Sequence, residues 1–218
     1  MDNGSDPAGT LRLQNAYLEA ITIYPVIREA TVAGEQAVEA VYRYIHTVAV
    51  MGAELIDAEK KIIFPLLAEE TAFQFQKLVS WQEQREVVVA ALRQVADLLD
   101  QWREDPQAGA DPLVAFLDGI RDSMEEYVFD VKANFSFSLG VKLNIEVWND
   151  VRTLALANMQ PETQVIALGV IHDNLTGSQW IALQKHLTPI MIDRWMNGGE
   201  MNYRVMLERV SALVENKA

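Results

Sequence analysis

Residues 55–65 read Leu-Ile-Asp-Ala-Glu-Lys-Lys-Ile-Ile-Phe-Pro and close a long run in which apolar residues return at helical spacing. Val38, Val41, Ile45, Val48, Ala49 and Gly52 lead up to it, and Leu55, Ile56, Ile63 and Leu66 continue the series, so the spacing predicts one helix over about 35–68. Glu59 falls inside that apolar stripe, between Ile56 and Ile63. A carboxylate so placed must find a partner or take up a proton, because an ionised acid away from water is costly.

Working outward, Gly34 is the only turn signal before this segment. A first helix is expected from Thr10, as a side-chain cap, to Ala33, with Pro25 as a kink or a restart. Beyond it, residues 72–103 place Leu78, Trp81, Val88, Leu92, Val95, Leu99 and Trp102 on one broad face, and the turn-rich stretch 104–111 ends that helix. Asp111 followed by Pro112 reads as the start of a fourth helix running to about Ser138, with an acceptor at the cap and proline in the first helical position. Four long segments with short connections favour antiparallel packing.

The expected fold is therefore all-α: an antiparallel up-down four-helix bundle over 10–140, after a disordered stretch 1–9, with further helices over 141–218 packed on it. Those later helices are expected at about 142–159, at 161–173 behind Pro161, from Thr176, and at about 200–216 behind Gly198-Gly199. Thr176 and Gln179 have the spacing of a capping box. No stretch keeps the two-residue alternation of a strand for long.

Half of the 218 residues are apolar, enough for one sizeable core. The formal charge of -13 repels nucleic acid phosphates and anionic lipid, so neither nucleic acid nor a membrane is expected as a partner. The acids are dispersed among apolar positions, which argues against a DNA mimic. The absence of cysteine excludes disulfides, thiolate metal sites, iron–sulfur clusters and a cysteine nucleophile. The opening residues lack the basic-then-apolar pattern of a signal peptide, and Glu54, Asp57 and Glu59 interrupt the most apolar region, so a cytoplasmic protein is expected. There is no glycine-rich phosphate loop and no nucleophile-elbow signature.

The 55–65 stretch resembles a segment of the hemerythrin HHE family, in which a histidine is followed four residues later by Glu and then by a Leu-Phe-Pro end. Glu59, Ile63, Phe64 and Pro65 match it; Leu55 stands where the family has its histidine, and Lys60 replaces a commonly acidic neighbour. Glu83-Gln84 resembles the family's Glu-His pair with glutamine in place of histidine, and Gln84 shares a face with Val88, Ala91 and Val95. Ile120 and Met124 take the second His and Glu positions, followed by Glu125 and Phe129. Another register pairs Glu126 with Asp130 but turns both away from the Val114, Leu117, Val128, Val131 stripe. In the first helix Asn15 or Tyr17 lies where a further histidine is expected, and the tail segments 175–180 and 189–195, with Tyr203, are similar to the C-terminal helices of bacterial members.

The resemblance implies a bundle whose relatives hold two irons on about five imidazoles and two carboxylates. This chain has only three histidines, His46, His172 and His186, so neither metal nor cofactor is expected. Its reading is a bundle that lost its di-iron site and binds a small, mainly apolar organic molecule in the interior. Glu59 would be the acid or base, Gln84 the second polar group, and Leu55, Tyr17, Ile120 and Met124 the wall. Two alternatives stand beside it: a structural or protein-interaction bundle with a filled core, in which Glu59 bonds Gln84 or a tyrosine, and a divergent metal protein using carboxylates and His46. Glu39, His46 and Asp57 near one face of the second helix read as a polar outer stripe, too far apart along the axis to share one ion. Met51, Trp81, Trp102, Phe116 and Phe135 read as core that can also line a pocket. The oligomeric state is left open.

Overall fold

The computed structural model describes residues 24–68, 75–138 and 144–215, and the side chains in these spans except at 67–68, 75–81 and 127–138. The expectations for 1–9, for Thr10, Asn15 and Tyr17, and for the side chains of Leu78, Trp81, Val128, Phe129, Asp130, Val131 and Phe135 lie outside the described residues. Among the described residues all regular structure is helical.

Helix α1 spans Val26–Ala33 with Pro25 at its N-cap, which makes Pro25 the restart that its fixed φ and missing N–H favour. Gly34 ends it at φ 102, a left-handed conformation that favours glycine, and its N–H closes on the Ala30 carbonyl at 3.1 Å. Helix α2 follows at once as Glu35–Ala68, then α3 as Phe75–Glu104 and α4 as Pro106–Ser138. Contacts run α1 to α2, α2 to α3, α3 to α4 and α4 back to α1, closing a ring of four. Cross-helix pairs fix the directions. Glu39–Arg103, Tyr42–Asp100 and Glu59–Arg85 link α2 to α3 with residue numbers rising on one helix as they fall on the other, and Tyr24–Asp118 and Arg28–Asp111 do the same between the α1 region and α4.

The fourth helix begins earlier than its Asp111-Pro112 signal suggested. Only Asp105 separates α3 from α4, its carboxylate accepting the Ala108 N–H at 3.1 Å, and Pro106 takes the first helical position. The chemistry of the start is the one expected, an acidic cap followed by proline, but an earlier copy of it is used. Pro112 then sits inside the helix, and Asp111 reaches α1, pairing with Arg28 at 3.0 Å. The tight α3–α4 corner depends on Gly109, where an added Cβ would lie 2.5 Å from the Trp102 Cα. Trp102 itself is fully buried, its indole N–H donating to Thr31 Oγ1 of α1 at 2.9 Å.

The remaining helices are α5 (Ile145–Ala157), α6 (Pro161–Asn174), α7 (Gly177–Gln184), α8 (Pro189–Arg194) and α9 (Glu200–Glu215). Asn144 caps α5, the expected capping box between Thr176 and Gln179 opens α7, and Thr188 caps α8. A π-type turn over Trp195–Gly199, with Gly198 at φ 107, joins α8 to α9, so the glycine pair bends a nearly continuous helical path. Helices α5, α6 and α9 all pack on α2. This explains why α2 buries far more than one stripe: Ala40, Met51, Ala53 and Ala58 are covered along with Val41, Ile45, Val48 and Ile56. A helix apolar on most of its circumference belongs at the centre of its domain.

Candidate functional site

Glu59 is about one-twentieth exposed and meets the equally buried Arg85 of α3, whose Nη2 donates to Oε2 at 3.1 Å. The same guanidinium lies 5.3 Å from the centre of the Phe64 ring, a cation–π distance. Arg152 of α5, 2% exposed, adds a third charge that acts on Glu59 and donates to Asn149 Oδ1 at 3.1 Å. Burial pushes the Glu59 carboxyl above its ordinary pKa; Arg85, and after it Arg152, pull it back without reversing the shift. The acid marked by the apolar stripe is buried as the pattern implied, but its partner is Arg85, one residue along from Gln84. Gln84 stays half-buried beside the pair.

Arg85 also reaches a cleft between α2 and α3 of about 290 Å³. Its apolar walls come from Ile56, Phe64, Val89 and Ala90. Two ion pairs edge it, Asp57–Arg93 at 2.6 Å and Lys60–Glu86 at 2.8 Å. Lys60 thus serves as a rim cation held by Glu86.

The other residues singled out in the sequence are dispersed. Leu55 and Met124 are buried members of the core, and Ile120 is half-buried against it. Glu39 and Asp57 each pair with an arginine of α3, Arg103 at 3.0 Å and Arg93 at 2.6 Å, so the outer stripe of α2 is a line of interhelical ion pairs. His46 stacks near Tyr42, with ring centres 5.0 Å apart. His172 packs among Trp180 and Trp195, and His186 lies between Glu146 at 2.6 Å and Asp150 at 3.0 Å. Among the described residues no group of three or more His, Asp or Glu side chains is arranged to hold a metal ion.

A hemerythrin-like iron pair does not fit these residues. Leu55, Gln84, Ile120 and Met124 offer it no imidazole or carboxylate, and Glu59 is already engaged by a guanidinium. Arg85 is the site residue that the sequence reading missed. Its signal was present in the i, i+3, i+4, i+7 series Arg85, Val88, Val89, Leu92, all buried.

Fold and site together define an all-helical bundle with a buried carboxylate–guanidinium pair beside a cleft of apolar walls and ion-paired rim. No family model matches the chain, and no solved structure matches it. Two curated relatives, HTH-type transcriptional regulators named ArgP from two strains of Klebsiella pneumoniae, are 34% identical over 71 residues, which is 33% of this chain and 24% of each regulator. The chain thus spans about a quarter of the length of the relatives it matches. Among the described residues no helix is long and apolar enough to cross a membrane.

Proposed function

We propose that the chain is a metal-independent binding protein, a hemerythrin-like bundle in which Arg85 has taken over the metal's part as counter-charge to Glu59, and that the α2–α3 cleft receives a small, mainly apolar organic molecule. The observation that carries this reading is Arg85 itself: a buried guanidinium, oriented by Glu59 and backed by Phe64, meets the apolar walls of Ile56, Phe64, Val89 and Ala90 inside a rim of ion pairs. Ligand sites commonly combine apolar walls with a few fixed polar groups, and about 290 Å³ is at the small end of their range. The ligand class that suits it has an apolar body and one acceptor, such as a carboxylate, directed at Arg85. Glu59 does not line the cleft, so its part in this reading is to orient Arg85 rather than to move protons.

The test is titration with benzoate and octanoate, followed by backbone amide NMR shifts. The expected result is saturable shifts centred on Ile56, Val89 and Ala90 that vanish in Ala90→Trp, whose side chain fills the cleft. Saturable binding that persists in Ala90→Trp, or no binding of either probe, would overturn the reading. Elemental analysis of protein from iron-supplemented cells is the companion measurement, and about two irons per chain would overturn metal independence.

A further inference from the structure

A second groove, of about 480 Å³, lies where α2, the end of α3 and the start of α6 meet, more than about 10 Å along α2 from the first cleft. We propose that it binds a small hydroxylated or aminated oxyanion, with Arg43 as the cation, Thr47 and the first turn of α6 as hydrogen-bond donors, and Glu162 as the acceptor for the ligand's own hydroxyl or amine.

Thr47 is the first support. It lines the groove at 2% exposure, and its hydroxyl has no hydrogen-bond partner among the described residues. A helical threonine ordinarily returns its hydroxyl to the carbonyl four residues back, as Thr31 does to Ile27 at 2.9 Å. A hydroxyl that lines the groove without such a bond can donate to a ligand there in exchange for the water that otherwise reaches it.

Arg43 is the second. It lines the same groove, half-buried, and among the described residues it makes no ion pair or hydrogen bond. Arg103 has partners by contrast: it pairs with Glu39 at 3.0 Å and sits 4.5 Å from the centre of the Tyr42 ring. Tyr42 in turn donates to Asp100 at 2.7 Å. The acids Glu39 and Asp100 are therefore occupied, and Arg43 is the cation left for a ligand.

The third support is the start of α6. Gln160 makes no side-chain cap, Pro161 has no N–H, and the N–H groups of Glu162 and Thr163 belong to the first turn, where a helix offers no internal acceptor. Both residues line the groove, bringing the positive end of a 14-residue helix to it. Burial holds His46 below its ordinary pKa, with Asp100 working against the shift and Arg103 with it, so at neutral pH it adds a neutral imidazole to the wall. Glu162 is the one acid lining the groove that makes no ion pair among the described residues. It disfavours a bare anion and favours one with a donor beside its charged group.

The experiment is calorimetric titration of the full chain at constant ionic strength with four probes: inorganic phosphate, acetate, glycerol phosphate and lactate. One hydroxylated probe is expected to bind saturably and more tightly than its bare counterpart; whether it is the phosphate or the carboxylate identifies the head group. Arg43→Gln should weaken it about ten-fold or more, and Glu162→Gln should remove the advantage of the hydroxylated probe while leaving Arg43-dependent binding. Thr47→Val, nearly isosteric, removes the donor and should weaken the probe as well. No saturable binding by any probe, or affinity unchanged in Arg43→Gln or in Thr47→Val, would each overturn the proposal. None of these variants touches the α2–α3 cleft, so this site and that one fail independently.

Discussion

Replacing Arg85 by methionine isolates the charge balance at the centre of the molecule. The variant keeps an unbranched, bulky side chain against Phe64 and Val89 but removes the guanidinium 3.1 Å from Glu59, leaving a carboxyl about one-twentieth exposed with only Arg152 acting on it. Removing one member of a buried ion pair costs about 3–5 kcal/mol, mostly the penalty on the charge left behind. At about 2–4 °C per kcal/mol for a chain of this size, Tm should fall by roughly 6–20 °C near pH 8. The sign of the pH dependence follows from burial. With Arg85 gone, the folded pKa of Glu59 rises further above its unfolded value, the native state binds the proton more readily, and stability is recovered as pH falls through that folded pKa and lost as pH rises through it. Scanning calorimetry from pH 5 to pH 8 measures this directly, and Glu59→Gln combined with Arg85→Met should recover most of the loss and flatten the pH profile. A single variant within about 2 °C of the parent at pH 8, with no added pH dependence, would refute the assignment of Arg85 as the charge on which Glu59 depends.

Two further outcomes bear on the rest of the fold. Asp105→Ala removes the cap of α4 and should cost about 1 kcal/mol, whereas Asp111→Ala loses only the exposed pair with Arg28 and should cost about 0.5 kcal/mol or less; reversed urea midpoints would place the helix start at Asp111 after all. Burial works to raise the Asp173 carboxyl, but the bonds it accepts from Arg204 at 2.7 and 2.6 Å and from Tyr203 at 2.9 Å outweigh it and hold the acid below its ordinary range. A depressed folded pKa means stability that is present above about pH 4 and lost as pH falls through the folded value, so Asp173→Asn should lose part of the acid limb of Tm against pH, and identical acid limbs in parent and variant would rule this contribution out.

Local chemistry was legible along the chain. Gly34 ends α1 because a left-handed residue was needed there, the Thr176–Gln179 box opens α7, and the periodicity of 35–68 gives one long helix with Glu59 on its buried side. Such features depend on a residue's neighbours within one or two turns, and those are fixed by the order of residues. The first start signal of α4 was equally local, but two copies of it lie six residues apart, and the helix uses the earlier one, which brings Gly109 against Trp102 at the α3–α4 corner. The partner of Glu59 was not legible for a related reason: Gln84 and Arg85 both lie near the inner face of α3, about 100° apart around the axis, and the rotation of α3 against α2 decides which one faces the carboxylate. The oxyanion groove brings Arg43 and Thr47 together with residues of α6 more than a hundred positions later. Helical periods say which side of each helix turns inward; how three helices are rotated and set in register against one another is settled only when they pack.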